Sequence, residues 1–451
     1  MNSLTDIELE ELVRKQEQLQ ATINLGCVGH VSHGKSTLVR AISGIKTQKH
    51  TEEQIRNITI KLGYANAKIY YCGKCEKYRS YGLQKCKNKE IKCEKCDNYL
   101  EFKRHISFVD CPGHEVYMST MLKGVSAMDA PLLLVAYNGN GILKIDEQTK
   151  EHMKAINIFN KENLLVLQNK VDLANDKESV KQHHQLLKSF LTEYNMDTTP
   201  IIPISAQLDL NVDLVLKYLV EYVKPPQRDL RSPCRLLIIR SFDINKPGTL
   251  IDNIKGGVAG CTVQKGIVKI GDKLEIRPGI IRKIQPSQLS GDDKLIWKKR
   301  FEITPLTTTV TSLFAENVPL HIAIPGGLIG VGTDLDPFLT ISDKLTGQIM
   351  GLPSSLPPVF ASLDISCNIS DIDPSCTLSK NDKLLINVGS ISVRCLVFYI
   401  KKRKSSINIR VDLEYPICID IGDKIALSYL YSEKWRLIGS GFIKDGDSMF
   451  D

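Results

Sequence analysis

A short glycine-rich stretch near the N-terminus has the pattern of a phosphate-binding loop. Residues 29–37 read Gly-His-Val-Ser-His-Gly-Lys-Ser-Thr, which is a glycine, four residues and then Gly-Lys-Ser. In such a loop the backbone N–H groups surround an anion, the lysine reaches the terminal phosphates and the serine hydroxyl binds Mg²⁺. The alternative is a chance glycine-rich turn, but an apolar run precedes the loop and a helix-like segment follows it. The residues predicted at the nucleotide are Ser32, His33, Gly34, Lys35, Ser36 and Thr37, with Ser36 as a Mg²⁺ ligand.

Strand-like and helix-like segments alternate from residue 21 to about 225, an order typical of a parallel sheet flanked by helices. Apolar runs predict strands at 23–28, 106–109, 131–136, 164–168 and 201–204. Helix-like segments fall near 146–159, 177–194 and 211–223. Residues 1–20 are amphipathic and predict a short peripheral helix as an N-terminal extension. The sequence therefore predicts an α/β domain that contains the phosphate-binding loop.

Three further motifs follow predicted strands, at the edge of the sheet where ligands bind in such folds. The first contains Asp110, which can hold Mg²⁺ through water, and Gly113, whose N–H can contact a γ-phosphate. The second contains Asp172, and a carboxylate suits the two adjacent N–H donors that guanine has and adenine lacks. The third could offer a backbone N–H to the guanine carbonyl. Each motif alone is an ordinary turn, but together with the loop they predict a guanine nucleotide site. The second and third motifs supply Asn169, Lys170, Asp172, Ser205, Ala206 and Gln207.

Four cysteines form two closely spaced pairs in a lysine-rich insert at about 70–98. Seventeen residues separate Cys72 and Cys75 from Cys93 and Cys96. Two such pairs can aim four thiolates at one ion, so they predict a structural Zn²⁺ site. The insert is too polar to fold around a core, and the metal would supply its order. The alternative is a disordered insert with reduced, unliganded cysteines, and Cys86 is left over in either case.

The pattern changes after a proline-containing linker near residue 225. Short alternating strands with glycine turns continue from there, and regular spacing of this kind suggests β-barrels. A second break, rich in Gly and Pro, lies at about 345–358. We therefore predict that the α/β domain spans 21–225 and that two β-barrel domains follow it, at 226–345 and 346–451.

Charge and hydropathy limit the class of protein. Lys and Arg outnumber Asp and Glu by 59 to 51, a net charge of +8 that permits contact with a phosphate backbone without requiring it. No apolar stretch reaches the ~20 residues of a membrane helix, and the N-terminus lacks the basic and apolar parts of a secretory signal. Thirteen cysteines in such a chain are better explained as thiols or metal ligands than as disulfides. We expect a cytoplasmic protein that does not bind membranes.

Four blocks of sequence carry a resemblance to a known family: FVDCPGH at 108–114, RNITIKLGYANA at 56–67, PGGLIGVGT at 325–333 and WRLIG at 435–439. Over about 21–445 the chain resembles translational GTPases of the elongation-factor-Tu type. More narrowly, it resembles the gamma subunits of eukaryotic and archaeal translation initiation factor two. Asn57, where elongation-type relatives carry Gly, favours the eukaryotic form. The chain departs from the family at Ser32, where relatives carry Asp or Ala, and in the segments 139–145 and 369–378.

The resemblance implies an α/β P-loop GTPase domain with a parallel-rich sheet, followed by two β-barrels. It also implies roles for two residues. Thr59 would complete the Mg²⁺ shell when a γ-phosphate is present, so that the segment around it orders on GTP; from the residues alone Thr59 is a strand position. His114 would position the water that attacks the γ-phosphate, whereas a histidine after Pro-Gly is otherwise an ordinary turn residue.

For function, the resemblance implies a GTP-dependent carrier of methionylated initiator tRNA to the small ribosomal subunit, released by GTP hydrolysis. Its implied cofactors are GTP or GDP, Mg²⁺ and structural Zn²⁺. Its implied partners are the alpha and beta subunits of a heterotrimer, together with GTPase-activating and nucleotide-exchange factors. Two alternatives stay open. One is an elongation-type GTPase that delivers another aminoacyl-tRNA, and the other is a GTP-binding scaffold with negligible hydrolysis.

Overall fold

A computed structural model describes most of the chain and contains two compact units. The first unit is Leu9–Gln227, and the second begins at Arg228 and also includes the residues before Leu9. The described residues are 6–48, 53, 58–83, 85–87, 91–138, 145–159, 163–285, 287, 289, 296–368, 376–404, 406–431 and 434–450. Predictions at Asn57 and in the segments 139–144 and 369–375 lie outside these residues. No helix in the described part of the chain is both long and apolar enough to cross a membrane.

The first unit is built on a seven-stranded sheet with helices. Its strands are β1 (Ile23–Val28), β2 (Gly63–Cys72), β3 (Lys77–Gly82), β4 (Glu101–Asp110), β5 (Ala130–Ala136), β6 (Leu165–Asn169) and β7 (Ile201–Pro203). Its helices are α1 (Asp6–Glu17), α2 (Lys35–Ser43), α3 (Met118–Ala127), α4 (Glu147–Ile158), α5 (Lys177–Thr192) and α6 (Val212–Glu221). The strand order is β3-β2-β4-β1-β5-β6-β7, and only the pairs that involve β2 are antiparallel.

The apolar runs form the centre of this sheet. Every residue of β1 and β5 is buried, as central parallel strands covered on both faces require. Leu25 of β1, Leu38 of α2 and Phe108 of β4 share one apolar core with the inner face of α6. All five predicted strands are present, and so are the predicted N-terminal helix, the helix after the phosphate-binding loop and the three later helices. The parallel-rich α/β class is thus confirmed, although β4 begins five residues earlier than predicted, at Glu101.

Three elements of the first unit were not predicted, namely α3, β2 and β3. The last two correct the interpretation of the cysteine insert as a segment that only metal could order. Strand β2 pairs with β4 from Gly63 to Tyr71, and β3 pairs with β2, so the first cysteine pair lies where this hairpin turns. Lys77 of β3 forms an ion pair with Asp213 of α6 at 2.9 Å. Backbone pairing and contacts with α6 therefore hold the start of the insert.

The second unit consists of antiparallel strands in two main sheets. The first sheet and a short two-stranded ribbon contain β8 (Arg235–Phe242), β9 (Val258–Lys265), β10 (Val268–Lys269), β11 (Lys273–Lys283), β12 (Phe301–Thr309), β13 (Ser312–Ala315), β14 (Val318–Leu320), β15 (Ile322–Ala323), β16 (Ile329–Gly332) and β17 (Ile349–Gly351). The closed barrel contains β18 (Val359–Asn368), β19 (Lys383–Val388), β20 (Ile391–Lys402), β21 (Ser406–Cys418), β22 (Lys424–Tyr431) and β23 (Lys434–Ser448).

Hydrogen bonding defines both sheets. The first has eight strands in the order β12-β11-β17-β8-β9-β16-β13-β14, and the barrel closes in the order β18-β21-β20-β19-β22-β23. Buried and solvent-facing residues alternate along β20, which is the period expected when one face of a strand covers a core. Strand β17 pairs with β8 and β11, so the first sheet extends past the predicted division at 345/346.

Candidate functional site

The phosphate-binding loop connects β1 to α2, and its backbone requires glycine at two positions. Gly29 and Gly34 have φ values of 139° and 90°, a region that favours residues without a side chain. A Cβ atom on Gly29 would lie 2.3 Å from the Leu134 carbonyl oxygen, and one on Gly34 would lie 2.2 Å from Asn169 Nδ2. The loop ends where α2 begins, so the partial positive charge of the helix N-terminus faces the position expected for an anion.

Lys35 crosses the mouth of this loop. Its Nζ atom donates to the carbonyl oxygens of Gly29 and His30, each at 2.8 Å. Burial lowers the pKa of this ammonium group, and the charge of Asp110 opposes the shift. A Cβ atom on Gly113 would lie only 2.3 Å from Lys35 Nζ. Glycine at 113 therefore keeps open the space that the ammonium needs in order to face a phosphate.

Hydroxyl and carboxylate oxygens meet beside Lys35. Ser36 Oγ and Thr47 Oγ1 each donate to Asp110 Oδ2 at 2.6 Å, and Thr59 Oγ1 lies 3.1 Å from Ser36 Oγ. Burial raises the pKa of Asp110, while the two hydroxyl donors and Lys35 oppose that shift. Asp110 Oδ1 is buried and has no hydrogen-bond partner among the described residues. This set of hard oxygen donors, with one buried oxygen still available, fits Mg²⁺.

Two threonines at this site differ from the sequence prediction. Thr59 is not in a strand, and Thr47 was not predicted to lie here. Thr59 lies in irregular backbone before β2 and not in a strand, yet it is buried beside Ser36. Thr47 lies in the segment after α2 and contacts a carboxylate 63 residues away. No local motif marks Thr47, because its role depends on a contact between distant parts of the chain.

Most of these side chains, including Lys35 and Thr47, line one cleft of about 830 Å³, a volume within the usual range of ligand sites. The predicted residues in its lining are Ser32, Gly34, Lys35, Ser36, Thr37, Thr59, Gly113, Lys170, Ala206 and Gln207. Arg40, Lys46 and Asp209 also line it and were not predicted. Four cationic side chains against one carboxylate favour an anionic ligand such as a nucleotide phosphate.

Asn169 links the loops that form the cleft. Its Nδ2 donates to the His33 carbonyl at 2.8 Å, and its Oδ1 accepts the Ala206 N–H at 3.0 Å. The N–H and the C=O group of this buried amide therefore both bond to protein backbone. The geometry makes Asn169 a positioning residue for the phosphate-binding loop and for the third motif. The Ala206 N–H, one of the predicted donors to guanine, is directed to Asn169.

Four other predicted residues are not part of the lining of the cleft, namely His33, His114, Asp172 and Ser205. Asp172 is exposed in a short turn, Val171–Leu173, directly after Lys170. Ser205 is buried, and its hydroxyl accepts the Leu208 N–H at 3.3 Å. The His33 ring is directed away from the cleft, since its Nδ1 lies 3.1 Å from the Leu134 carbonyl. His114 is exposed, and its Nδ1 accepts the Val116 N–H at 3.3 Å at the start of a short turn, Glu115–Tyr117.

The four paired cysteines converge on one point outside the cleft. Cys72 Sγ lies 3.4 Å from Cys96 Sγ, Cys75 Sγ lies 3.9 Å from Cys93 Sγ, and all four sulfurs lie within 4.8 Å of one another. A tetrahedral Zn²⁺ with ~2.3 Å bonds to sulfur needs about 3.8 Å between sulfurs. Backbone N–H groups of Lys95 and Cys96 lower the pKa of Cys93, whereas hydrogen bonds with the other thiols raise the pKa of Cys75. Cys86 is outside this group and donates to the Tyr81 carbonyl.

Comparison with known proteins identifies two regions. Residues 20–225 match the family described as the elongation factor Tu GTP binding domain, and residues 369–443 match the C-terminal domain of initiation factor eIF2 gamma. The eukaryotic translation initiation factor 2 subunit gamma of Schizosaccharomyces pombe is 43% identical over 446 residues, which cover 95% of each chain.

Solved structures of two elongation factors share the fold. The elongation factor SelB of Methanococcus maripaludis, in complex with the GTP analogue GppNHp, aligns with a TM-score of 0.67 at 22% identity, over 95% of this chain and 80% of that one. The bacterial selenocysteine-specific elongation factor EF-Sec aligns with a TM-score of 0.65 at 19% identity, over 94% of this chain and 58% of that one. At these identities the likeness concerns the fold alone.

Proposed function

The chain belongs to the gamma-subunit family of eukaryotic translation initiation factor 2, and on that premise we propose that its GTP-bound form carries methionylated initiator tRNA to the small ribosomal subunit. It is a translational GTPase of the initiation-factor type. The observation that carries the proposal is the 43% identity with a gamma subunit over 95% of both chains. Hydrolysis of GTP and loss of phosphate would then release the tRNA.

Residues of the cleft supply the nucleotide chemistry in this proposal. Lys35 and the N–H groups of the phosphate-binding loop would hold the phosphates, and Gly113 would contact the γ-phosphate. Ser36 and Thr59 would bind Mg²⁺ directly and Asp110 through water, which their oxygen contacts support. When bound, Mg²⁺ neutralises charge on the β- and γ-phosphates. Thr59 precedes β2 by only a few residues. If the Thr59 side chain left the Mg²⁺ site, the backbone around Thr59 would therefore be released.

Partners are part of the same proposal. By membership of the family, the chain would form the core of a heterotrimer with alpha and beta subunits and would work in the cytoplasm. GTPase-activating and nucleotide-exchange factors would set its rates. The relative from Schizosaccharomyces pombe is a subunit of an initiation factor, which supports a role in assembly with other subunits.

Selective binding of initiator tRNA tests the proposal. Filter binding should detect methionylated initiator tRNA at least about 10-fold more tightly with GTP than with GDP, a ratio ordinary for coupling between two sites. Elongator tRNAs should bind weakly in both states. Equal binding of elongator tRNA would favour the elongation-type alternative. Failure to release phosphate with activator and ribosomal subunit present would favour the scaffold alternative.

We propose in addition that Cys72, Cys75, Cys93 and Cys96 bind one structural Zn²⁺. The sulfur separations support a tetrahedral thiolate site, and thiolate ligands favour Zn²⁺ over the hard cations. Strand pairing holds Cys72, whereas Cys93 and Cys96 lie in a turn outside the named strands. The metal would therefore join the second cysteine pair to the hairpin.

Zinc content distinguishes the ligands from the remaining cysteine. After dialysis against metal-free buffer without chelator, Cys86→Ser should keep about one Zn²⁺ per chain, because a Cys₄ site is complete without it. Cys93→Ser should lose this ion, since three thiolates no longer close the coordination shell. Elemental analysis measures both. Absence of zinc from the unsubstituted protein would contradict the proposed zinc site.

A further inference from the structure

A second group of metal-binding side chains lies at the phosphate-binding loop, outside the set used for the nucleotide. It consists of His30, His33 and Asp146, whose ligand atoms all lie within 4.8 Å of one another. His33 is buried, whereas His30 and Asp146 are partly exposed, so the group can exchange an ion with solvent. Asp146 directly precedes α4, yet its side chain makes no hydrogen bond that caps this helix.

In both histidine rings the Nδ1 atom faces a backbone carbonyl group. His30 Nδ1 lies 2.9 Å from the Val31 carbonyl oxygen, and His33 Nδ1 lies 3.1 Å from the Leu134 carbonyl oxygen. A carbonyl oxygen can only accept, so both Nδ1 atoms carry hydrogen and donate. In a neutral ring the Nε2 atom then has its lone pair available. This is the arrangement found around metal-binding histidines, whose other N–H is fixed by a carbonyl or carboxylate.

One contact in the group brings a ring nitrogen and a carboxylate oxygen close together. His33 Nε2 lies 3.4 Å from Asp146 Oδ2, and with neutral His33 both atoms are acceptors. A metal ion between them would accept a lone pair from each atom.

We propose that His30 Nε2, His33 Nε2 and a carboxylate oxygen of Asp146 form a binding site for a divalent transition-metal ion such as Zn²⁺. Two imidazoles and one carboxylate are a ligand set that suits Zn²⁺ and leaves a fourth position for water. The site differs in chemistry from the all-oxygen group of Ser36, Asp110 and Thr59, which suits Mg²⁺. A bound ion would tie the phosphate-binding loop to the start of α4.

His152 of α4 stands nearby but is not a ligand in this proposal. Its Nδ1 accepts the Gly29 N–H at 3.1 Å, so that nitrogen already serves the loop. The two contacts together would attach the loop to α4 at two points, one by hydrogen bond and one by metal.

A metal titration tests the site. Protein without a histidine tag, dialysed as above, is titrated with Zn²⁺ in buffer with excess Mg²⁺, and bound zinc is counted by equilibrium dialysis. The unsubstituted protein should take up one additional equivalent, and Asp146→Ala and His30→Gln should take up none. Glu147→Ala and His184→Gln are matched controls that should keep the uptake, because Glu147 pairs with Lys150 and His184 lies on α5.

Cobalt separates this site from the cysteines. Co²⁺ in the additional site should absorb in the visible range without thiolate-to-metal charge transfer, whereas Co²⁺ at Cys72 and its partners should show that band. Persistence of the charge-transfer band in Asp146→Ala and His30→Gln reports that these variants are folded. The proposal is overturned if the unsubstituted protein takes up no additional equivalent, or if both variants take it up as the controls do.

Discussion

His114→Ala should bind GTP and initiator tRNA like the unsubstituted protein but lose activator-stimulated phosphate release by roughly 10²-fold or more, the order expected for a lost general-base or positioning group. The expectation follows from placement, since Gly113 lines the cleft and His114 is the next residue in the chain. Phosphoryl transfer depends on positioning and electrostatics more than on covalent help from the protein. Single-turnover phosphate release, with activator and ribosomal subunit, measures the effect.

The resting geometry allows a sharper version of this test. His114 Nδ1 accepts the Val116 N–H and so caps the turn Glu115–Tyr117, which leaves Nε2 on an exposed ring to orient water. Asn caps a turn as His114 does but lacks that nitrogen. His114→Asn should therefore release phosphate as slowly as His114→Ala, whereas recovery in the Asn variant would show that only the cap matters. His184→Ala, on α5, is the control. Release at the unsubstituted rate in both His114 variants would move the catalytic group to the activator.

Local chemistry explains why much of this site could be predicted from sequence. The phosphate-binding loop needs Gly29 and Gly34 for its backbone and Lys35 for charge, and all of these lie within seven residues. The strands β1 and β6, which precede the phosphate-binding loop and Lys170, are buried on both faces, so they appear as continuous hydrophobic runs. The carboxyl ends of the parallel strands must meet at one edge of the sheet, which brought Asp110, Gly113 and Lys170 to one place.

Contacts between distant segments explain what could not be predicted. Thr59 contacts Ser36 across 23 residues of sequence, and Thr47 contacts Asp110 across 63. Asn169 bonds to His33 across 136 residues and to Ala206 across 37. No window of sequence contains both ends of these contacts. The β2–β3 hairpin was missed for a related reason. Its second strand is polar, and its contacts are with α6, where Tyr78 Oη donates to Glu221 at 2.9 Å.

Asp172→Asn should weaken GTP binding by roughly 10²-fold or more, because two hydrogen bonds to a charged acceptor contribute ~1.5–3 kcal/mol each and 1.4 kcal/mol is tenfold in affinity. An amide cannot accept from both donors on the edge of guanine as a carboxylate does. Xanthine carries a carbonyl where guanine carries its amino group, and an Asn N–H can donate to it. The variant should therefore prefer xanthosine triphosphate to GTP, as measured by competition against a labelled guanine nucleotide.

Asp172 lies in a short turn, where its carboxylate is open to a ligand. Its turn is anchored by the Val171 N–H, which donates to the Ile204 carbonyl at 3.3 Å, while the carboxylate itself is exposed and available. Asp176→Asn is the matched control. Asp176 is a nearby carboxylate that caps α5 by accepting the Ser179 N–H, and Asn caps a helix about as well as Asp. The control should keep its preference for GTP. If Asp172→Asn also keeps that preference, or if the unsubstituted protein binds ATP as tightly as GTP, then base recognition does not rest on this carboxylate.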